Sequence, residues 1–273
     1  MKTILVPTDF SVASRNAVKY AAELAKHFGS KLVLLNAYSM PVSAYDTLPP
    51  VDLLSSTEEN AKTSLSEMAG SINNESMWLN VETLSRIGSA QNVISEVAAE
   101  VQADAIVMGI VGEAGKIKER LIGSTTLDIA RDVEIPLFII PEGVVYEKVG
   151  TISFACDIDN LYGSRILDNI KDFCHLFNAK LEIVNIEKPE METDPLRIRN
   201  LNFMESILTD VDHETIVVNE NNAHEALQNY FMNHHADLIV LNPKKQNFFQ
   251  AMFHKSMTKT LAFHVKSPML IVH

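Results

Sequence analysis

At 273 residues the chain is long for one domain and fits two of about 135 residues each. Its 47% apolar and 21% charged composition excludes a disordered chain, and a net charge of −12, acidic in both halves, excludes the basic field that binding a DNA or RNA backbone needs. No apolar run approaches the roughly 20 residues of a membrane span, Met1 to Val6 is too short before Pro7 and Asp9 for a secretory h-region, and Cys156 and Cys174 are too few for a disulfide framework, so a soluble cytoplasmic protein is expected.

Strand-like runs and helical patterns alternate along the chain. The first half has apolar runs at 3–7, 31–37, 79–85, 104–109 and 136–141. Ser11 is placed to cap a helix over 12–27, whose Ala17, Tyr20, Ala21, Leu24 and Ala25 share one face. Further helices are predicted over 57–72, 89–102 and 124–132. The stretch from Ser39 to Ser56 carries Pro41, Pro49 and Pro50 without a clear period, and reads as a long loop near a functional edge. The second half repeats the strand-like runs at 151–156, 180–186, 214–218, 237–242 and 268–272. Strands alternating with helices of this length predict βαβ crossovers and a parallel sheet.

The two halves are copies of one plan. Thr3-Ile4-Leu5-Val6-Pro7-Thr8-Asp9 parallels Thr151-Ile152-Ser153-Phe154-Ala155-Cys156-Asp157, and His27-Phe28-Gly29 parallels Leu176-Phe177-Asn178. Ala103-Asp104-Ala105-Ile106-Val107 parallels Ala236-Asp237-Leu238-Ile239-Val240, and Ile135-Pro136-Leu137 parallels Ser267-Pro268-Met269. Repetition of this kind means duplication. We therefore expect two tandem doubly wound α/β domains, 1–145 and 146–273, joined through Glu142 to Gly150.

Three segments of the first half converge where such sheets bind ligands, at the carboxyl ends of the strands. Pro7, Thr8 and Asp9 end the first strand; Met108, Gly109 and Gly112 follow the fourth; Gly123, Ser124 and Thr125 open the next helix. Glycines let backbone N–H groups approach phosphate oxygens, and a helix N-terminus adds free donors and a favourable dipole. Asp9 is placed to meet a ribose hydroxyl, a base edge or a bound magnesium. The same glycines also serve as turns and caps. The second half keeps the strand before the loop but has Asn242-Pro243-Lys244-Lys245 and Lys255-Ser256-Met257 where the glycines were.

With these residues in view, the chain resembles a tandem universal stress protein. The resemblance rests on Val6-Pro7-Thr8-Asp9-Phe10-Ser11, the strand from Lys31 to Ala37, Ile87-Gly88, Asp104-Ala105-Ile106-Val107-Met108-Gly109, the glycine loop, and Pro136-Leu137-Phe138-Ile139-Ile140. The ATP-binding branch of the family carries Gly-x2-Gly-x9-Gly-Ser/Thr. Here Gly109-x2-Gly112 matches, and ten residues rather than nine precede Gly123-Ser124. The resemblance implies five-stranded parallel sheets of order 3-2-1-4-5, of the adenine nucleotide alpha hydrolase-like class, with the two halves forming an intramolecular pseudo-dimer. It implies ATP or another adenine nucleotide with Mg2+ in the first domain only. Asp9 would then lie at the adenine and ribose end, Ala37 would turn its backbone to adenine, Met108 and Gly109 would border the ribose, and Gly112, Gly123, Ser124 and Thr125 would hold phosphates and magnesium. A sensor or switch in stress response follows, not an enzyme beyond slow ATP hydrolysis, since no G-x-S-x-G elbow or Walker lysine is present. The alternatives are a scaffold that binds no nucleotide and acts through protein partners and, more weakly, an enzyme relative of this fold. Beyond the pseudo-dimer, a homodimer of the whole chain is left open. No membrane or nucleic-acid partner is expected.

Eight of nine histidines lie at or after position 175, but no C-x-x-C or H-E-x-x-H spacing marks a metal site. Cys156 and Cys174 read as buried residues of a strand and a helix. The apolar cluster Phe248-Phe249-Gln250-Ala251-Met252-Phe253 is expected to fill the vacated site of the second copy, or else to form a partner surface.

Overall fold

A computed structural model describes residues 1–39, 51–110, 124–156, 158, 161, 165–187, 195–219, 223–242 and 267–273. For 51–54, 124, 127, 187, 219, 223, 224 and 228 it describes the backbone alone. The chain forms two compact units; the first ends at Tyr146 and the second begins at Glu147.

In the first unit the strands are β1 (Thr3–Pro7), β2 (Lys31–Tyr38), β3 (Val81–Ile87), β4 (Ala105–Ile110) and β5 (Leu137–Pro141). Between them run α1 (Val12–Phe28), α2 (Val51–Glu75), α3 (Ala90–Glu100) and α4 (Ser124–Asp132). The strand order is β3-β2-β1-β4-β5, and every pair is parallel. Parallel neighbours need crossovers, which the helices supply. Ile4, Leu5, Val6, Ile106, Val107 and Phe138 are fully buried, as central strands covered on both faces require.

The second unit repeats the plan. Its strands are β6 (Thr151–Cys156), β7 (Lys180–Glu187), β8 (His213–Asn219), β9 (Leu238–Leu241) and β10 (Met269–Ile271), and its described helices are α5 (Ile166–Phe177), α6 (Pro195–Ile207) and α7 (Ala223–Asn233). The order β8-β7-β6-β9-β10, again parallel, is the first unit's order in duplicate.

Local chemistry accounts for the shared anchors. Asp104 ties β1 to the start of β4 by accepting from the N–H groups of Lys2 (2.6 Å) and Thr3 (2.8 Å) through one carboxylate oxygen. Asp237 does the same for Gly150 and Thr151, both at 2.9 Å. Asn16 of α1 donates to the carbonyls of Pro141 and Val144, and Asn169 of α5 donates to that of His273. α1 ends on Gly29 and α5 on Asn178, both left-handed, with φ of 64° and 52°. A helix stop of this kind selects glycine or asparagine, which explains why the two differ in identity at one aligned place.

Most elements lie within one or two residues of the expected bounds, and two departures have a local explanation or change a reading. α2 begins at Val51, inside the stretch expected to be loop. β3 runs two residues later than expected, because Ser76 and Leu79 continue the turn that leaves α2. Residues 40–50 of the expected loop lie outside the described residues.

Candidate functional site

The order β3-β2-β1-β4-β5 sends crossovers in opposite directions from β1 and β4, and a cleft opens at their carboxyl ends. Its described walls enclose about 200 Å³. Pro7, Thr8, Asp9, Ala37, Met108, Gly109 and Thr125, seven of the residues singled out from the sequence, line it together. Ser124 is the first residue of α4 and is described as backbone only. Gly112 and Gly123 lie outside the described residues, as do Asp157 of the second copy and the whole of Phe248 to Phe253.

The turn after β1 is held by hydroxyls. Thr8 is buried, and its Oγ1 lies 3.0 Å from the Ser14 hydroxyl and accepts from the Phe10 N–H at 3.1 Å. The Asn36 side chain donates to the Thr8 carbonyl at 2.7 Å. Phe10 has a φ of 63°, an uncommon left-handed conformation for an aromatic residue. Arg15 secures it by donating from Nε to the Phe10 carbonyl at 2.9 Å while its guanidinium sits over the Phe10 ring. Such strain persists only where the surroundings over-determine it. The consequence is the position of Asp9, at the exposed rim of the cleft.

The Asp9 carboxyl is pushed up by partial burial, but hydrogen bonds from Ser11 and Ser14 outweigh this and hold it below the usual carboxylate range. The Ser11 N–H donates to Asp9 Oδ1 at 3.0 Å. Asp9 is therefore a charged acceptor at neutral pH. Ser11 also caps α1, its hydroxyl accepting from the Ser14 N–H.

Ala37 offers the complementary chemistry. The Thr8 N–H donates to the Leu35 carbonyl, and β1 pairs with β2 only as far as Pro7 and Leu35. By the alternation of a parallel ladder, Ala37 turns its N–H and C=O to the side that β1 has left. A donor and an acceptor thus stand side by side at the mouth of the cleft.

Gly109 has a tighter reason for being glycine than phosphate contact. A Cβ there would stand 2.2 Å from the Ala13 carbonyl oxygen and 3.0 Å from the Ser14 nitrogen. The residue lets the first turn of α1 lie against β4, which brings Asp9 and Met108 to the same cleft.

Other lining residues escaped the sequence reading, among them Ser14, Thr126, Ala90 and Ile94. Ser14, 8% exposed, and Thr126, 3% exposed, bring hydroxyls from the first turns of α1 and α4. Ser14 was legible as the third helical residue after the Ser11 cap, and Thr126 as the end of the run Ser124-Thr125-Thr126. Ala90 and Ile94 of α3 supply an apolar wall, and nothing in their local sequence marks them. In the second unit Cys156 and Cys174 are both buried and unbonded to each other, and burial pushes the Cys174 thiol up to about 12. Among the described residues no three His, Cys, Asp or Glu side chains form a metal-binding group, and no helix is long and apolar enough to cross a membrane.

A duplicated β3-β2-β1-β4-β5 sheet with a polar cleft beyond β1 and β4 defines a tandem doubly wound α/β protein. Residues 1–141 match the universal stress protein family, and the chain belongs to it. A universal stress protein of Synechocystis is 33% identical over 140 residues, which span 51% of this chain and 85% of that protein. One from Methanocaldococcus jannaschii is 29% identical over 146 residues, 51% of this chain and 81% of that protein. The fold of the whole chain is shared with the crystal structure of a universal stress protein from Archaeoglobus fulgidus. That match has a TM-score of 0.74 at 19% identity, over 99% of this chain and 95% of the other.

Proposed function

We propose that the first unit binds an adenine nucleotide and acts as a sensor or switch in stress response. The observation that carries the reading is the pairing, across one cleft, of a charged carboxylate with a backbone edge that, among the described residues, no strand covers: Asp9 and Ala37. An adenine ring presents a donor beside an acceptor, which the N–H and C=O of Ala37 complement. A ribose presents two hydroxyls, and hydrogen bonds to an ionised acceptor such as Asp9 are the stronger kind. Ile94 and Met108 supply apolar walls for the base.

The described walls enclose less than the roughly 300–1,000 Å³ of a pocket for a whole drug-sized ligand. They suit the base and ribose, with the phosphates directed to the start of α4. There Thr125 and Thr126 bring hydroxyls, and the N–H groups of a helix N-terminus favour an anion. Gly112 and Gly123 are the sequence's own candidates for the remaining phosphate contacts. Magnesium, carried in with the nucleotide, would neutralise phosphate charge; Thr125 lines the cleft with a hydroxyl that could sit beside it, and Ser124 is the sequence's own second candidate. No described residue of the cleft is a general base held against a nucleophile, so the reading is binding with at most slow ATP hydrolysis.

Calorimetric titration with ATP and magnesium tests this on the wild type, Asp9→Ala and Thr125→Val. One site per chain is expected. Asp9→Ala should weaken binding at least about tenfold, the loss of one charged hydrogen bond. Absence of heat with ATP, ADP and AMP, or affinities unchanged in both variants, would overturn the reading in favour of a scaffold that works through protein partners.

A further inference from the structure

We propose that β3 is a dimerisation edge, through which two copies of this chain pair antiparallel about a twofold axis at Leu84. β3 ends the strand order of the first unit. Among the described residues no strand lies on its outer side. The ladder shows which groups face outward. The Leu32 N–H donates to the Asn80 carbonyl and the Gly88 N–H donates to that of Tyr38. Glu82, Leu84 and Arg86 therefore turn their backbone groups toward β2, and Val81, Thr83, Ser85 and Ile87 turn theirs away. Among the described residues the outward Ser85 carbonyl meets a long contact from its neighbour Arg86, at 3.4 Å.

The sequence of β3, Val81-Glu82-Thr83-Leu84-Ser85-Arg86-Ile87, is symmetric in chemistry about Leu84. Apolar residues stand at its ends, an acid and a base inside them, two hydroxyl residues next, and one leucine at the centre. With the axis on Leu84, Thr83 faces Ser85 of the other copy and Val81 faces Ile87. These are outward residues, able to exchange both hydrogen bonds. Between them Glu82 faces Arg86 and Leu84 faces Leu84, in the pairs whose side chains approach closest. A shift of two residues either way keeps the outward groups matched, but sets Leu84 against Glu82 or against Arg86. Charge and polarity thus select one register.

Within β3 there is no proline, and its two charges are of opposite sign, so a second copy can pair with them rather than be repelled. Its two charges already have exposed partners: Glu82 with Lys31, and Arg86 with Glu100 at 3.1 Å. Pairing joins these into a network from Lys31 of one copy to Glu100 of the other. Met77 and Trp78, 91% and 69% exposed, lie just before β3, and Ile87, 50% exposed, ends it. Antiparallel pairing carries the first two of one copy toward the last of the other, adding apolar flanks to the backbone contact. The occupant is a second copy because the pattern complements itself, as an isologous interface demands.

Sedimentation of the full chain over a dilution series is expected to show a mass of two chains at high concentration. Leu84→Cys should form a disulfide-linked dimer on mild oxidation, since that position alone meets itself. Thr83→Cys should not, because it faces Ser85; Cys156 and Cys174 are buried and do not compete. Glu82→Arg and Arg86→Glu should each weaken the dimer about tenfold or more by setting like charges opposite. The double variant E82R/R86E should recover it, with circular dichroism confirming that each variant folds. A single-chain mass at every concentration overturns the proposal. So does a dimer that Leu84→Cys links no better than Thr83→Cys, or one that the double swap does not restore.

Discussion

Gly109 shows how one residue can satisfy two readings. From the sequence it is the first glycine of a phosphate-binding pattern. In the fold, its missing Cβ lets the Ala13 carbonyl come close to the backbone of β4. Gly109→Ala places a methyl group against rigid helix backbone, and overpacking of this kind costs about 1–3 kcal/mol. Urea denaturation is expected to show that loss even with no nucleotide present; unchanged stability would return Gly109 to a purely ligand-facing role. Asp9 was legible because a carboxylate directly after a first strand points to a ligand. Ser14, Thr126, Ala90 and Ile94 were not, because the property that qualifies them is which cleft their helix turns toward, and no local pattern encodes it.

Elements were more legible than their limits. α1 was foreseen from the Ser11 cap and the spacing of its apolar face, and it runs Val12–Phe28 with Ser11 capping it. The helix at 124–132 has the bounds expected for it. The start of α2 was missed because the prolines of 39–56 suggested loop through Ser56, whereas the helix already runs from Val51. β3 was displaced by two residues because an edge strand, half exposed along its length, lacks the continuous apolar run that marked β1 and β4. At the helix ends, Gly29 and Asn178 do the same left-handed work. Replacing either by alanine is expected to cost about 1 kcal/mol, with the greater loss at Gly29, since asparagine already bears part of the steric penalty. Thermal unfolding of the two variants checks this; equal stability to wild type at both would mean that the stops are set by packing instead.

At the scale of the molecule, acid sensitivity follows from carboxylates that the fold holds ionised. Burial pushes the Asp104 carboxyl up, but the N–H groups of Thr3 and Lys2, with the positive charges at the N-terminus and on Lys2, bring it below its ordinary value; Asp9 is lowered likewise. A lowered folded-state pKa contributes stability above the unfolded value, near 3.9, and that contribution is lost as pH falls through the folded value. The unfolding free energy should therefore decline below about pH 4 from these groups. Asp104→Ala should be less stable by about 1 kcal/mol at neutral pH, a modest figure because the group is largely exposed. The two curves should converge in acid; a constant gap down to pH 2 would deny the carboxylate its role.

By itself the sequence determined the duplication, the alternation of strands and helices, and the family, because each is written in periodicity and in short motifs that local chemistry enforces: Asp104 and Asp237 tying strand starts, Gly29 and Asn178 ending helices. Only the tertiary structure decided which residues share the cleft, why Gly109 must be glycine, and which backbone groups of Ala37 and β3 have, among the described residues, no strand beside them. Those are properties of approach between segments far apart in the chain, where a carbonyl, a helix turn and a strand end acquire meaning from what stands across from them.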